Sequence, residues 1–303
     1  LEKPALAPAD APVDAPGVYA LPLERHHGDC CKGPSASSST ARTLFTASPK
    51  HVWAHSPLNP DRIPFQVTDA MIRGSAAHHL IGGEGQFFQR FAIRPERFRD
   101  WRTKDAKAWR AEQEAAGKAV LTPADAEAIR GMAAELAAHP LVQAGILNGY
   151  VERSLIWWDE ALGLWLKSRP DNVIPTATDF ADLKVISSVH PDMIAKKIEE
   201  LRLDMQAAMV RRACRFLLGQ EMTSYLLVCV EATPPHAVEV VEMDPEDIER
   251  GDQDLEVALR VFRRCVDTGR WPGPGGDRVD GYRIHRPAWG VAKAEKRRQF
   301  LLE

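Results

Sequence analysis

The 303-residue chain is predicted to adopt an α/β fold, in which a mixed central sheet is flanked by helices. Thr122-Pro123-Ala124-Asp125 begins one helix, predicted to run to about residue 138, because threonine is a favoured N-cap and proline a favoured first helical residue. Residues 150–158 and 163–168 are rich in branched and aromatic side chains on either side of a short turn, which is typical of a β-hairpin. Residues 193–218 then carry apolar side chains at the spacing of one helix face.

The remaining elements are predicted in chain order from the same kinds of signal. Thr46-Ala47-Ser48-Pro49 is predicted to start a helix with Trp53 on its buried face, and residues 66–81 are predicted to form a helix that carries His78. Residues 82–120 are rich in arginine and aromatic side chains and are predicted to be irregular with short helices. The other predicted elements are strands at 179–186, 224–230 and 237–241 and a closing helix at 254–267.

Composition divides the chain into three segments. Residues 1–43 are dense in Ala, Pro and Ser and poor in aromatic residues, so they are predicted to be a flexible tail that can be removed without loss of thermal stability. The pairs His26-His27 and Cys30-Cys31 lie in this tail, but no second such pair follows at the spacing of a zinc site. Residues 44–275 are predicted to form one domain and residues 276–303 a C-terminal extension.

Charge is unevenly distributed, although the formal net charge is only −3. Between Arg94 and Lys118, eight Lys or Arg stand against five Asp or Glu, whereas between Glu239 and Glu256 nine acidic residues stand against Arg250 alone. A basic flank with an acidic back is compatible with DNA entering from one side; two solvated faces without a binding role are the alternative. The total charge argues against a nonspecific nucleic-acid coat protein.

The sequence carries no membrane or secretory signal. No apolar run approaches the roughly 20 residues that a membrane span needs, and no N-terminal apolar region suggests secretion. The five cysteines are odd in number and scattered, which is typical of buried, unpaired cysteines in a reducing cytosol. The protein is therefore expected to be cytoplasmic, without a membrane partner.

Two acidic residues and a lysine have a spacing that is typical of metal-dependent phosphodiester hydrolysis. Asp171 follows Pro170, and ten residues further on Asp182-Leu183-Lys184 lies on a predicted strand. Alternation along a strand directs the first and third side chains of that tripeptide to one face. Two carboxylates suit a hard cation such as Mg²⁺ and leave coordination positions for phosphate and water. An acid in an apolar strand is also costly to bury unless it is paired or metal-bound.

Six further segments accompany Asp182-Leu183-Lys184 in a fixed order. They are Gly74-Ser75-Ala76-Ala77-His78, His139-Pro140, Val151-Glu152-Arg153-Ser154, Ser168-Arg169-Pro170-Asp171, Gln206-Ala207-Ala208 and Asp267-Thr268-Gly269-Arg270-Trp271-Pro272-Gly273. Together the seven segments resemble the RecE-type exonucleases (exodeoxyribonuclease VIII-type), a branch of the PD-(D/E)XK nuclease superfamily. The resemblance extends from about residue 44 to 273. One departure is Val210, because the family often has a tyrosine four residues after the glutamine.

This resemblance implies a PD-(D/E)XK restriction-endonuclease-like core and a Mg²⁺-dependent exodeoxyribonuclease, with Mn²⁺ as an alternative ion. Such an enzyme digests one strand of linear double-stranded DNA, 5′ to 3′, and leaves 3′ single-stranded ends for recombination. The residues that the resemblance assigns to the metal are Asp171, Asp182, the main-chain carbonyl of Leu183 and Glu152. Those that it assigns to catalysis are Lys184, Glu152, Gln206 and His78, the last in preference to His79.

The resemblance also implies partners. These are double-stranded DNA ends and a single-strand annealing protein, and enzymes of this kind often form homo-oligomeric rings. The alternatives are another PD-(D/E)XK DNA endonuclease, a RecB-like repair nuclease, or a non-catalytic DNA-end-binding protein with a relic site. The complete Asp–Asp–x–Lys set argues against a relic.

Overall fold

A computed structural model of the chain describes residues 11–64, 68–81, 87–151, 153–173, 178–276, 278 and 280–302. The strands are β1 (Gly17–Tyr19), β2 (Ser35–Ser37), β3 (Phe91–Ile93), β4 (Ala119–Leu121), β5 (Tyr150–Val151), β6 (Ser154–Asp159), β7 (Leu164–Ser168), β8 (Asn172–Val173), β9 (Asp179–Ile186), β10 (Ser224–Glu231) and β11 (Val238–Glu242). The helices are α1 (Leu23–His27), α2 (Ser38–Thr46), α3 (Pro49–His55), α4 (Asp69–Ile81), α5 (Phe87–Arg90), α6 (Lys104–Ala115), α7 (Pro123–Ala138), α8 (Pro140–Gln143), α9 (Pro191–Leu201), α10 (Leu203–Leu218), α11 (Pro245–Thr268) and α12 (Ala288–Leu302).

The predicted helix start and the predicted hairpin are both present. α7 begins with a capping box, in which Thr122 and Asp125 each accept a hydrogen bond from the other's backbone N–H. β6 and β7 pair antiparallel, with Trp158 opposite Trp165. β9 has the predicted bounds, so the strand that carries the acid–lysine motif was correctly located.

Two mixed sheets organise the molecule and confirm the predicted α/β class. In one, β10 lies between β9, to which it is parallel, and β11, to which it is antiparallel. In the other, the strand order is β1-β6-β7-β2. The sequence predicts that β6, β7 and β9 form a three-strand meander, and this prediction is wrong, because β9 pairs with β10 and not with β7 in the described chain.

Helices cover both faces of the β9–β10 pair. On one face α10 and α11 pack against the sheet in a large cluster that includes Phe180, Met205, Leu227 and Phe262. On the other face α4 and α7 form a second cluster, whose members include Ala77, Ile129, Met132, Leu183 and Val228. The middle of β9 is therefore covered on both sides, and an ionised side chain that is buried there must be paired or coordinated to be tolerated.

The prediction that residues 1–43 form a flexible tail is wrong for the part that the structure describes. β1 and β2 are the two edge strands of the four-stranded sheet, paired to β6 and β7. Val13, Cys30 and Cys31 are buried in a cluster with Ile156 and Trp165. The β6–β7 hairpin has an apolar face and two open edges, and this segment covers them despite its weak local propensity. Residues 1–10 lie outside the described chain.

The single long helix predicted at residues 193–218 is instead two helices. The chain breaks at Arg202, whose backbone is left-handed at φ 49° and ψ 54°. The Arg202 guanidinium donates to both oxygens of Asp204 and to Asp254 on α11, and this ion-pair cluster stabilises the break. The apolar spacing persists across the break, so periodicity alone did not reveal it.

Other elements differ from prediction in extent. The closing helix predicted at 254–267 begins earlier, at Pro245, and its N-cap is Asp244. Within the region predicted to be irregular, β3 and β4 pair in parallel and α6 packs against β4. No helix in the described residues is both long and apolar enough to cross a membrane.

Candidate active site

β9 directs the motif residues to its two faces. Asp182 and Lys184 point towards α9 and α10, whereas Leu183 packs in the cluster under α4 and α7. Asp171 lies just before β8 but contacts β9, because its Oδ2 accepts a 2.6 Å hydrogen bond from the Leu183 backbone N–H. A backbone bond to β9 thus brings the earlier acid beside the later one, as the spacing predicted.

His78 on α4 bridges Asp171 and the strand. Its Nδ1 lies 3.2 Å from Oδ1 of Asp171, and its Nε2 lies 3.0 Å from the main-chain oxygen of Leu183. Both partners are acceptors, so both nitrogens carry protons and the ring is cationic. Burial alone would lower the pKa of His78, but Asp171 outweighs it and raises the pKa to about 9. The neighbouring His79 is instead buried against Phe91.

Asp182 is the most deeply buried acid of the site, with 1% of its side chain exposed. Its Oδ1 accepts a 3.0 Å hydrogen bond from Nε2 of Gln206. Its Oδ2 forms an ion pair with the Lys184 ammonium. Burial raises the pKa of Asp182 to about 6, against the opposing effect of Lys184. Burial would lower the pKa of Lys184, but the two nearby carboxylates outweigh it and raise that pKa.

Both the nitrogen and the oxygen of the Gln206 side-chain amide, on α10, form hydrogen bonds. Nε2 also lies 3.3 Å from the hydroxyl of Tyr225, and Oε1 accepts a 3.3 Å hydrogen bond from Nη1 of Arg42. The same Arg42 nitrogen donates to the carbonyl of Leu201 at 2.9 Å. The predicted role of Gln206 was to contact a metal-bound water or DNA; the structure places its amide on Asp182.

Arg42 and Tyr225 were not identified from the sequence. Arg42 lies on α2, inside the segment predicted to be a tail. Tyr225 lies on β10, two residues from Leu227, which is the register partner of Asp182. Alternation on that neighbouring strand was the signal that could have found it, since it directs Tyr225 to the face of Asp182. Val210, where the family often has tyrosine, is fully buried in the core, and Tyr225 supplies a hydroxyl beside Gln206 instead.

Glu152, predicted as a metal ligand and catalytic residue, lies outside the described residues. Ser154, which belongs to the same predicted motif, links separate segments of the chain through hydrogen bonds. The Ser154 hydroxyl lies 3.0 Å from Nδ1 of His26 and accepts a 3.2 Å hydrogen bond from Arg169. This part of the motif therefore connects β6 to α1 and to the segment that carries Asp171.

The donor set of this site fits a hard divalent cation. Asp171, Asp182 and the Leu183 carbonyl offer oxygen atoms, and Oδ2 of Asp182 is buried against the Lys184 ammonium. Among the described residues, no group of three His, Cys, Asp or Glu side chains is already arranged to hold a metal. The His78 and Lys184 cations contact the same oxygens, so a bound ion would replace internal positive charge.

Comparisons with known proteins bear on the family and the fold of the chain. A family model described as a PDDEXK-like domain of unknown function (DUF3799) matches residues 37–279. The crystal structure of a "putative exonuclease" from Eubacterium rectale has a TM-score of 0.58 at 14% identity, over 88% of this chain and 96% of that chain. The crystal structure of SSO0001 is 13% identical over 64% of this chain and 88% of that chain, and its TM-score of 0.26 is too low to support an argument. No curated protein sequence matches the chain.

The family match spans most of the chain and includes every described residue of the site, from Arg42 to Tyr225. The structural match at low identity shows a shared fold. The chain belongs to the family of PDDEXK-like domains of unknown function (DUF3799), and its fold is that of the PD-(D/E)XK superfamily.

Proposed function

We propose that the protein is a Mg²⁺-dependent exodeoxyribonuclease that digests linear double-stranded DNA from the 5′ end and leaves a 3′ single strand. One observation carries the proposal. Asp171, Asp182 and Lys184 lie together at the middle of β9, and Gln206 donates a hydrogen bond to Asp182. Paired carboxylates beside a lysine are suited to phosphodiester hydrolysis at a metal.

Asp171, Asp182 and the Leu183 carbonyl would hold the ion, and His78 and Glu152 are the further residues proposed for the site. When bound, a divalent cation polarises the phosphate and lowers the pKa of a coordinated water. Mg²⁺ is the ion proposed because all the main donors are oxygen atoms; Mn²⁺ shares this preference.

The protein's own groups position the reaction. Lys184 is proposed to orient the attacking water by donating a hydrogen bond to it, because its ammonium lies against Asp182 and 21% of its side chain is exposed. Gln206 holds the Asp182 carboxylate in one orientation, and Arg42 and Tyr225 fix the Gln206 amide in turn. The His78 ring likewise holds the Asp171 carboxylate in one orientation.

End dependence and polarity are proposed from two observations that are weaker than the site itself. The segments Gly74–His78 and Glu152–Ser154 resemble those of RecE-type exonucleases, and the Eubacterium rectale protein of similar fold carries an exonuclease name. On the same resemblance we propose two further features. The protein forms a homo-oligomeric ring that encloses the duplex, and a single-strand annealing protein receives the 3′ strand.

The test is digestion of linear and covalently closed circular duplex DNA, labelled at the 5′ or the 3′ end, with and without Mg²⁺. We expect linear DNA to be consumed only with the ion, the 5′ label to be released first, and closed circles to be spared. Cleavage of circles at a comparable rate would establish the endonuclease alternative. Binding to ends without hydrolysis under any divalent ion would establish the non-catalytic one.

Substitution of the motif residues tests the site itself. We expect Asp182→Ala or Lys184→Ala to reduce the cleavage rate by about 10²- to 10⁴-fold, since each removes a metal ligand or the group that orients the water. Asp179→Ala is the matched control, because Asp179 lies exposed on the same strand. Circular dichroism should show that all three variants are folded; unchanged cleavage by either folded site variant would refute the assignment.

A further inference from the structure

α12 differs from every other long helix because it buries no side chain. The aromatic residues Trp289 and Phe300 are 73% and 65% exposed. The C-terminal extension, residues 276–303, carries seven Lys or Arg against four Asp or Glu, although the chain as a whole has a net charge of −3. The C-terminal extension is thus a basic arm on an acidic body.

Cations and aromatic rings share one face of this helix. Trp289, Lys293, Lys296, Arg297 and Phe300 follow one another at intervals of four, three, one and three residues. At roughly 100° per residue, these five positions lie within an arc of about 100°. All five side chains are exposed, and the Arg297 guanidinium lies 5.1 Å from the ring centre of Phe300. We call this set the cation–aromatic face of α12.

The mixture of these residue types on one face discriminates between classes of partner. A helix that lies on a membrane separates its cations from its apolar side chains, on opposite faces. An apolar docking face for another protein is depleted of lysine at its centre. Single-stranded nucleic acid instead offers phosphates to cations and exposed base faces to aromatic rings along the same track. In a duplex the bases are already stacked, so only the phosphates would be used.

We propose that the cation–aromatic face of α12 binds single-stranded DNA, with Lys293, Lys296 and Arg297 on phosphates and Trp289 and Phe300 stacked on bases. A second cation–aromatic pair precedes the helix, since the Arg278 guanidinium lies 5.0 Å from the ring centre of Tyr282. The single strand bound by α12 would be the 3′ product of digestion, and this part of the proposal rests on the proposed nuclease function. Binding itself does not depend on cleavage.

The experiment measures fluorescence anisotropy of a labelled oligothymidylate of about 20 nucleotides, and of a duplex of equal length, with the full chain in EDTA. The absence of free divalent ions prevents digestion, so a failed nuclease proposal and a failed binding proposal give separate results. The charge variant is Lys293→Gln/Lys296→Gln/Arg297→Gln, and the ring variant is Trp289→Ala/Phe300→Ala. Both introduce residues with good helix propensity.

The matched control is Arg298→Gln compared with Arg297→Gln. The two arginines are adjacent and equally charged, but Arg298 lies about 100° further round the helix, outside the cation–aromatic face. We expect Arg297→Gln to weaken binding several-fold and Arg298→Gln to change it less than twofold. Equal effects would show a diffuse basic tail rather than a binding face and would overturn the proposal.

The two multiple variants separate phosphate contacts from stacking. We expect the charge variant to weaken single-strand binding by at least tenfold and to make the slope of log K against log salt shallower by about 2, for three lost contacts. The ring variant should weaken single-strand binding by about tenfold or more and leave duplex binding unchanged. Equal loss on both DNAs, or no loss on single strands, would refute stacking and with it the proposal.

Discussion

His78 and Lys184 act as internal counter-ions for the two carboxylates of the candidate site. Each contacts a different acid, and each is a cation that burial alone would discourage. The balance favours ionised pairs because isolated charges at this depth would be far more costly. At the scale of single residues, the candidate site therefore contains two carboxylates that internal cations already hold in place.

Tyr225→Phe tests the part of the site that the sequence did not reveal. Removing the hydroxyl deprives Gln206 Nε2 of one of its two contacts, so we expect a destabilisation of about 1 kcal/mol. We also expect a smaller rate loss than for Asp182→Ala, because Tyr225 acts through Gln206. Urea unfolding and the initial cleavage rate measure the two effects. A rate loss as large as that of Asp182→Ala would mean that Tyr225 contacts the reacting groups directly.

His26 makes the stability of the protein sensitive to acid. Burial lowers the pKa of His26 well below its ordinary value of 6.5, and the nearby Lys167 acts in the same direction. As the pH falls below 6.5, this histidine gains a proton in the unfolded chain but stays neutral in the folded chain. Proton binding therefore favours the unfolded chain, and the free energy of unfolding decreases with falling pH in that range. His26→Gln should reduce this decrease.

The measurement for His26 is the free energy of unfolding in urea between about pH 5 and pH 7. His285→Gln is the control, because His285 is exposed. An acid dependence that is the same in His26→Gln as in the native chain would show that other groups cause it.

At the scale of elements, glycine permits the close approach of α10 and α11. A Cβ added at Gly251 would lie 2.5 Å from the backbone carbon of Asp204, at the start of α10. Backbone cannot move aside as a flexible side chain can, so the two helices would have to separate. Gly251 is thus required by packing, although its own helix would favour almost any other residue.

Two glycine-to-alanine substitutions should have opposite effects. Gly251→Ala should destabilise the protein by about 1–3 kcal/mol through this overlap. Gly74→Ala, in α4, meets no atom within 4 Å and should stabilise by up to about 1 kcal/mol through helix propensity. Thermal and urea unfolding of both variants give the comparison. If Gly251→Ala is as stable as the native chain, the helices are not packed as closely as described.

At the scale of the whole molecule, the N-terminal segment completes the sheet that supports Asp171. β1 and β2 cover both edges of β6–β7. Side-chain bonds reinforce this, since Lys167 donates to the Gly28 carbonyl and Arg169 to the Leu21 carbonyl, both close to Asp171 in sequence. The segment predicted to be dispensable is therefore a support of the site.

Deleting residues 1–33 should lower the melting temperature by at least about 5 °C. The deletion uncovers Ile156 and Trp165, each worth about 2 kcal/mol of burial, and 1 kcal/mol corresponds to about 2–4 °C in a protein of this size. Deleting residues 281–302, none of which is buried, should leave the melting temperature unchanged. If both deletions are equally well tolerated, β1 and α1 contribute nothing to stability.

Signals that act within a few residues allowed the α/β class and several of its elements to be predicted from the sequence. The capping box of α7 and the bounds of β9 follow from local hydrogen bonding and alternation, and these were predicted correctly. The contacts of Asp171 with His78 and with the Leu183 backbone join three segments that only the resemblance to a known family had grouped, since no local signal relates them.

Tertiary structure alone decided the rest. Arg42 reaches Gln206 across 164 positions of sequence, and no local pattern specifies such a contact. The break at Arg202 depends on Asp254 of another helix, and the folding of residues 11–43 depends on the open edges of β6–β7. The sequence by itself determined which motif residues are candidates for the chemistry, and it located the elements with strong local signals, such as α7 and β9. Only packing decided which distant side chains meet, because that choice depends on burying apolar surface and pairing buried charge over the whole chain.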